Sequence, residues 1–220
     1  MILIITGPQA SGKGIQAESL KDKFGLIHFS MGDVLRELVK TGGETGKKID
    51  EYMNRRGALV PDEIASEVIS RFLTKKYIKK GIIFDGYPRT KKQLEILEKL
   101  VRQKGASIDL VLYLYASEKV INQRLSGRLV CPRCGRNYHT VNMPPKIKNV
   151  CDDCKIKLVR RKDENPEAIK ERLAIYRQET APLLQIYRKM GILEELDGDE
   201  PPKNVFADIL VRLEKAGLTK

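Results

Sequence analysis

The chain has 220 residues, 41 Lys and Arg against 29 Asp and Glu, and a formal net charge of +12. Its length suits one ordinary domain carrying small insertions, and a composition of 41% hydrophobic and 32% charged residues excludes a disordered chain. The opening apolar run, Met1 to Ile5, is far too short for a signal-peptide core or a membrane span, so a cytoplasmic protein with no membrane partner is expected.

Met1 to Thr6 is apolar and rich in β-branched residues, the pattern of a strand buried on both faces of a parallel sheet. Helical character follows from Lys13 to Phe24, then over 31–41, 44–56, 62–79, 91–104, 118–126, 166–190 and 203–216. Further buried strands are predicted at Gly81 to Asp85, Leu110 to Tyr115 and Ile192 to Leu196. Strands separated by helices imply βαβ crossovers and an α/β fold with a parallel sheet flanked by helices. Asn165 followed by Pro166 reads as a helix start, and Ile169, Leu173 and Tyr176 then recur at helical spacing. Residues 129–160 break the pattern. They hold all four cysteines, three prolines and many cations, with too little apolar material for a core of their own.

The net charge admits three readings: a nucleic-acid or membrane-surface binder, a Lys-rich solvated surface, or cations facing a small polyanion. Basic residues are spread along the whole chain, aromatics make up 6% and Trp is absent, which argues against a base-stacking nucleic-acid platform.

Gly7-Pro8-Gln9-Ala10-Ser11-Gly12-Lys13 matches G-x-x-x-x-G-K after a strand and before a helix, the context a phosphate-binding loop requires. Its glycines let backbone N–H groups converge on phosphate oxygens, the helix N-terminus adds partial positive charge, and Lys13 reaches the β- and γ-phosphates. Position 14 is Gly, where most such loops carry Ser or Thr for Mg²⁺. Asp85, ending a buried strand at the sheet's carboxyl edge, is the candidate to hold that ion instead. Cys131-x2-Cys134, sixteen residues, then Cys151-x2-Cys154 is a tetrahedral zinc pattern with no open position, so a structural metal. Two disulfides, free thiols, iron at the four sulfurs, or a zinc ribbon facing nucleic acid are the alternatives.

Several motifs in order resemble the adenylate kinase family. Gly12-Lys13-Gly14 with Gln16 is similar to that family's loop, Ser30-Met31-Gly32-Asp33-Val34-Leu35-Arg36 to its monophosphate-site motif, and Asp85-Gly86-Tyr87-Pro88-Arg89-Thr90 with Gln93 to its most diagnostic signature. Arg124, Gly127 and Arg128 match the entry to its lid, and Arg161 to Glu164 with Arg172 the exit. The resemblance implies a P-loop nucleoside monophosphate kinase fold. Its core would be 1–29, 62–127 and 161–220, with an AMP-binding helical insertion at 30–61 and a zinc-binding lid at 128–160.

The implied reaction is ATP + AMP = 2 ADP with Mg²⁺. Lys13, Arg89, Arg128, Arg161 and Arg172 would surround the transferring phosphoryl group. ATP would meet residues 7–15, Arg124, Arg128 and Tyr138. AMP would meet Ser30, Met31, Arg36, Leu59, Val60, Gly86, Arg89, Gln93, Arg161 and Arg172. A monomer acting on small nucleotides, with no nucleic-acid partner, is the family expectation. An Arg-rich site without a nucleophile or an acid–base pair suits this chemistry, which needs positioning and charge stabilisation. The rival enzyme is a kinase for GMP, CMP or UMP, although the long cysteine-bearing lid is unlike the short-lid UMP/CMP class. Three departures stand out: Ile15 and Met31 where the family usually has Thr, and Gln9-Ala10-Ser11 where it has Pro-Gly-x. Lost hydroxyls beside a base or phosphate predict some tolerance for other nucleotides. Of the two histidines, His28 is read as structural, and Tyr138 and His139 as lid residues.

Overall fold

Four successive residues, Ile2 to Ile5, are buried because β1 (Ile2–Thr6) runs between two hydrophobic layers. The pleat sends Ile2 and Ile4 into one core cluster with Phe29, Ile82 and Phe84, and Leu3 and Ile5 into the other with Ile83, Leu112 and Leu114. Each such side chain removed from water stabilises the fold by about 1.5–3 kcal/mol, so this strand anchors both layers. The computed structural model describes residues 1–55, 58–141, 143–160 and 166–219.

Five parallel strands form the sheet in the order β2 (Ile27–Ser30), β3 (Ile82–Asp85), β1, β4 (Leu110–Tyr115), β7 (Leu193–Asp197). One face is covered by α1 (Lys13–Phe24) and α10 (Pro202–Lys215), through Leu20, Ile209 and Leu213. The other packs against α2 (Met31–Thr41), α4 (Asp62–Phe72), α6 (Lys91–Arg102) and α9 (Pro182–Lys189), through Leu35, Ile69, Leu97 and Tyr187. The remaining elements are α3 (Gly43–Asp50), α5 (Lys75–Lys80), α7 (Glu118–Ser126), α8 (Pro166–Ile175), two π turns and a two-stranded antiparallel ribbon, β5 (Arg128–Val130) with β6 (Asn137–His139). No helix among the described residues is long and apolar enough to cross a membrane.

The elements differ from expectation in several places. The predicted helix 44–56 leaves the α-helical ladder after Asp50 for a wide π turn, Glu51–Arg55. The predicted helix 62–79 is two helices, because Thr74 adopts an extended backbone and its hydroxyl accepts from Tyr77 N to cap α5. The predicted helix 166–190 breaks at a wide π turn, Tyr176–Thr180, just ahead of Pro182, whose ring cannot continue an α-helical ladder. Strand β2 was not foreseen. It is four residues long and only Phe29 is fully buried, so its apolar pattern is weak.

The ribbon and residues 143–160 carry a third cluster, Leu129, Cys131, Tyr138, Cys151 and Leu158, separate from the two that cover the sheet. Val130 and Val159 exchange backbone hydrogen bonds at 2.8 and 2.9 Å, so the segment's entering and leaving chains pair.

Candidate active site

Parallel register brings three strand ends together: Ile5 of β1 and Ser30 of β2 both pair with Asp85 of β3. The loop after Thr6 therefore sits beside Asp85 at the carboxyl edge, where such sheets bind ligands. Gly7 has φ 142°, and a Cβ there would collide with the carbonyl oxygen of Leu114, so only glycine lets the loop leave β1 this closely. Helix α1 starts at Lys13 with no side-chain cap, leaving its first N–H groups directed at whatever the loop encloses. Lys13 Nζ donates to the carbonyls of Gly7 and Pro8 at 2.9 and 2.6 Å. Burial lowers its pKa to about 8; Asp85 works against this, while Arg89 and Arg128 reinforce it.

Arg89 belongs to the same electrostatic cluster. Burial pulls it down to about 10, Arg172 and Arg36 add to the shift, and Asp85 opposes it. At neutral pH it stays charged. Arg89 Nε donates to Gly86 O at 2.9 Å, its backbone N–H donates to Gln93 Oε1 at 2.8 Å, and its carbonyl accepts from Thr180 Oγ1 at 3.0 Å. The Tyr87–Pro88 peptide within this turn is cis. Arg36 folds over Gly32 and donates to Asp33 Oδ1 at 2.6 Å, while Arg172 Nη2 donates to Met53 O at 3.5 Å. Arg124 donates to Ala10 O at 3.2 Å from α7. Ser30 caps α2 by accepting from Asp33 N, and Met31 and Val60 are buried, with Leu59 half-buried beside Val60. Ile15 is 40% exposed on the first turn of α1.

Three expectations need restating. Gln93 is buried with both amide atoms engaged, Oε1 by Arg89 N and Nε2 by Asp62 Oδ1 at 2.8 Å, so it braces the Arg89 turn before any base arrives. Tyr138 does not face the phosphate loop. It is buried in the cysteine segment, where its hydroxyl accepts from Asp152 N at 2.8 Å and lies 3.5 Å from Cys151 Sγ. Arg161 falls outside the described residues.

Sequence reasoning also missed a site neighbour. His28, on the unforeseen β2, hydrogen-bonds Glu18 Oε1 through Nδ1 at 2.8 Å, and its Nε2 lies 3.4 Å from Asp85 Oδ2, within ion-pair reach though not aligned for a hydrogen bond. Burial lowers the His28 pKa, but the facing carboxylates of Asp85 and Glu18 outweigh it and the net shift is upward. His139 fastens the other end: its Nδ1 accepts from Val141 N, so Nε2 carries the proton and faces Gln123 O at 3.2 Å on α7. Gly127 is required beside it, since a Cβ would strike the imidazole and Thr140.

The four cysteine sulfurs lie within 4.8 Å of one another, with Cys134 and Cys151 3.8 Å apart. A tetrahedral ion with metal–sulfur bonds of about 2.3 Å needs sulfurs about 3.8 Å apart. Both CxxC loops fold alike. Cys134 N donates to Cys131 Sγ at 3.5 Å and Cys154 N to Cys151 Sγ at 3.4 Å, and the following residues, Gly135 and Lys155, both have positive φ. Tyr138 stabilises the Cys151 thiolate and lowers its pKa to about 6, whereas hydrogen bonding by the neighbouring thiol of Cys134, with burial, raises Cys154 to about 12. Thiols forced together in this way are relieved when a divalent cation takes their protons' place. The donors fit Zn²⁺.

A phosphate loop on a parallel sheet, opposed by converging arginines, places the molecule among P-loop proteins that handle nucleotide phosphates. The profile of the family described as adenylate kinase matches residues 5–192. An adenylate kinase of Thermotoga petrophila is 42% identical over 209 residues, 94% of each chain. Others from Caldicellulosiruptor saccharolyticus (42% over 213 residues, 97% of this chain and 99% of the relative) and Archaeoglobus fulgidus (40% over 215 residues, 98% and 99%) match over nearly their whole lengths. The chain belongs to the adenylate kinase family.

Proposed function

We propose that this chain catalyses the reversible transfer of a phosphoryl group between ATP and AMP, giving two ADP. The observation that supports the reading most is the cation cluster at the sheet edge: Lys13 and Arg89 both feel Asp85 and one another, Arg128 acts on Lys13, and Arg36 and Arg172 act on Arg89. Residues 7–15 would cradle the ATP phosphates, and Arg124 would stack on the ATP base. Arg36 and Arg89 would grip the AMP phosphate, with Leu59 and Val60 lining the base pocket and Gly86 and Gln93 reading its edge. Arg128, Arg161 and Arg172, with Lys13 and the AMP-side Arg89, would face the phosphoryl group in flight, where planar forks suit equatorial oxygens. Mg²⁺ entering with ATP would neutralise phosphate charge, and Asp85, beside His28 and Glu18, would be the carboxylate to hold it, directly or through water. Residues 30–61 and 128–160 act as moving covers, the second stapled by zinc, and their closure excludes water so that AMP rather than water accepts the phosphoryl group. Membership of the family supports a monomer in the cytoplasm, with a homo-oligomer as the alternative.

A coupled assay for ADP with ATP and AMP tests this reading, and no ADP formation defeats it. The same assay with GTP, CTP or UTP as donors, and GMP or CMP as acceptors, tests the base pocket. Ile15 and Met31 offer no hydroxyl, so measurable turnover with at least one alternative nucleotide is expected. Strict use of ATP and AMP would refute the relaxed pocket alone.

The Lys13 ammonium gives a pH dependence. Its pKa falls from 10.5 in the unfolded chain to about 8 in the fold, so the native state binds fewer protons between those values, and this group's contribution to stability rises with pH across that window. Phosphate binding has the opposite sign, because it needs the ammonium. ATP affinity should fall as pH rises above about 8, approaching about tenfold per unit, while binding below pH 8 stays level. Titration calorimetry from pH 6.5 to 9.5 checks this; a dissociation constant flat to pH 9.5 would contradict it.

A further inference from the structure

The phosphate loop is tied to both helices that flank the cysteine segment, through two consecutive residues. Arg124 of α7 donates to Ala10 O at 3.2 Å, and Gln9 Nε2 donates across the loop to Ile169 O of α8 at 2.8 Å. Helix α7 leads into residues 128–160 and α8 follows them. Ala10 holds φ 59°, a left-handed conformation unusual for a residue with a Cβ, so the loop keeps this shape against a backbone preference. Gln9 stands at one of the departures from the family pattern; a proline there has no side-chain donor and could not make this bond.

Ile169 lies three residues before Arg172, one helical turn away. Helix α8 is not bedded against α7 at this level. An open cavity of about 660 Å³ lies there, lined by Leu125, Ile169 and Leu173 with Arg128 and Lys170. Where packing leaves a gap, a hydrogen bond has more leverage over position. Arg172 in turn reaches Met53 O and depresses the Arg89 pKa, so its charge already acts within the site.

We propose that the Gln9 side chain is a positioning residue: it sets the height of α8 over the phosphate loop and so registers Arg172 against the phosphoryl group. The inference rests on the phosphotransfer reading above: the Gln9 backbone belongs to the loop that would cradle the phosphates, whereas its side chain, turned to Ile169 O, acts through Arg172.

The test is Gln9→Met, which keeps length and volume but removes the donor, compared with wild type and combined with Arg172→Ala. A neutral hydrogen bond is worth roughly 0.5–1.5 kcal/mol, or about 2- to 13-fold. Gln9→Met should lower kcat about five- to tenfold with KM for ATP changed less than twofold, since backbone N–H groups and Lys13 still hold the phosphates. In the Arg172→Ala background the same substitution should cost less than twofold further. The idea is overturned if Gln9→Met leaves kcat within twofold of wild type or raises it, if KM and kcat suffer together, or if its loss is undiminished without Arg172. Should Gln9→Met melt at a lower temperature, the cycle run where all four proteins are folded still decides, because a purely structural role predicts additivity. Absence of wild-type activity would sink the phosphotransfer reading instead.

Discussion

Replacing Arg89 with Ala should reduce kcat/KM by about a thousandfold while shifting the melting temperature by no more than a few degrees. The rate follows from placement. Arg89 stands at the strand end beside Asp85 with its side chain still open to solvent; Gly86 O holds its guanidinium, and Gln93 and Thr180 hold its backbone before substrate arrives. Guanidinium groups that meet transferring phosphoryl oxygens contribute about 10³–10⁵ in kcat. Stability changes little because the Arg89 side chain is solvent-exposed: Arg89→Ala loses the bond to Gly86 O, while the bonds to Gln93 and Thr180 are made by its backbone and survive. Arg89→Lys keeps the charge but not the fork, and should lose at least about tenfold. The coupled assay and a thermal melt on the same preparations check both halves. A loss below tenfold for Arg89→Ala would remove this residue from the phosphate site, and a large fall in melting temperature would make it a structural pillar.

How much of this site could be read from the sequence depends on the kind of signal. The strands that anchor the sheet were legible because burial on both faces leaves an unbroken apolar run, as in Ile2 to Ile5 and Leu110 to Leu114. The phosphate loop and the Asp85-to-Arg89 turn were legible because their residue types are fixed by chemistry at fixed spacing. His28 was not, because β2 is short and only partly buried, so nothing in its pattern announced a strand ending beside Asp85. The breaks at Thr74 and Tyr176–Thr180 were hidden for another reason: the apolar positions on either side keep helical spacing, and only a cap and a proline distinguish two helices from one. Tyr138 shows the limit most clearly. The resemblance implies a contact with ATP, but the Tyr138 hydroxyl lies 3.5 Å from Cys151 Sγ, thirteen residues on, a contact that no local pattern encodes.

The same tyrosine leads to the second large effect, removal of the metal. Among the described residues of 128–160 the hydrophobic cluster has five buried side chains, two of them cysteines, too little apolar surface to offset the entropy of ordering the segment. On the proposed zinc staple, four thiolates on one ion would supply what the core lacks; structural zinc contributes about 10–16 kcal/mol of apparent binding energy in small peptides. Chelation strong enough to strip the ion should therefore unfold this segment while leaving the sheet intact, because the two clusters on the sheet share no residue with the third. The expected record is a new transition below the main melt, loss of amide protection confined to about residues 128–160, and a fall in phosphotransfer of more than tenfold as the cover over ATP is lost. Cys151→Ser should reproduce it, since Cys151 is buried at the centre and bonded to both Tyr138 and the Cys154 backbone. Tyr138→Phe should give a milder version, weakening metal retention without abolishing it. Metal analysis after chelation, followed by hydrogen exchange, separates the outcomes. Unchanged protection across 128–160 in protein verified to be metal-free would mean that the ribbon and its pairing at Val130 and Val159 hold the segment by themselves, and the staple would lose its structural role.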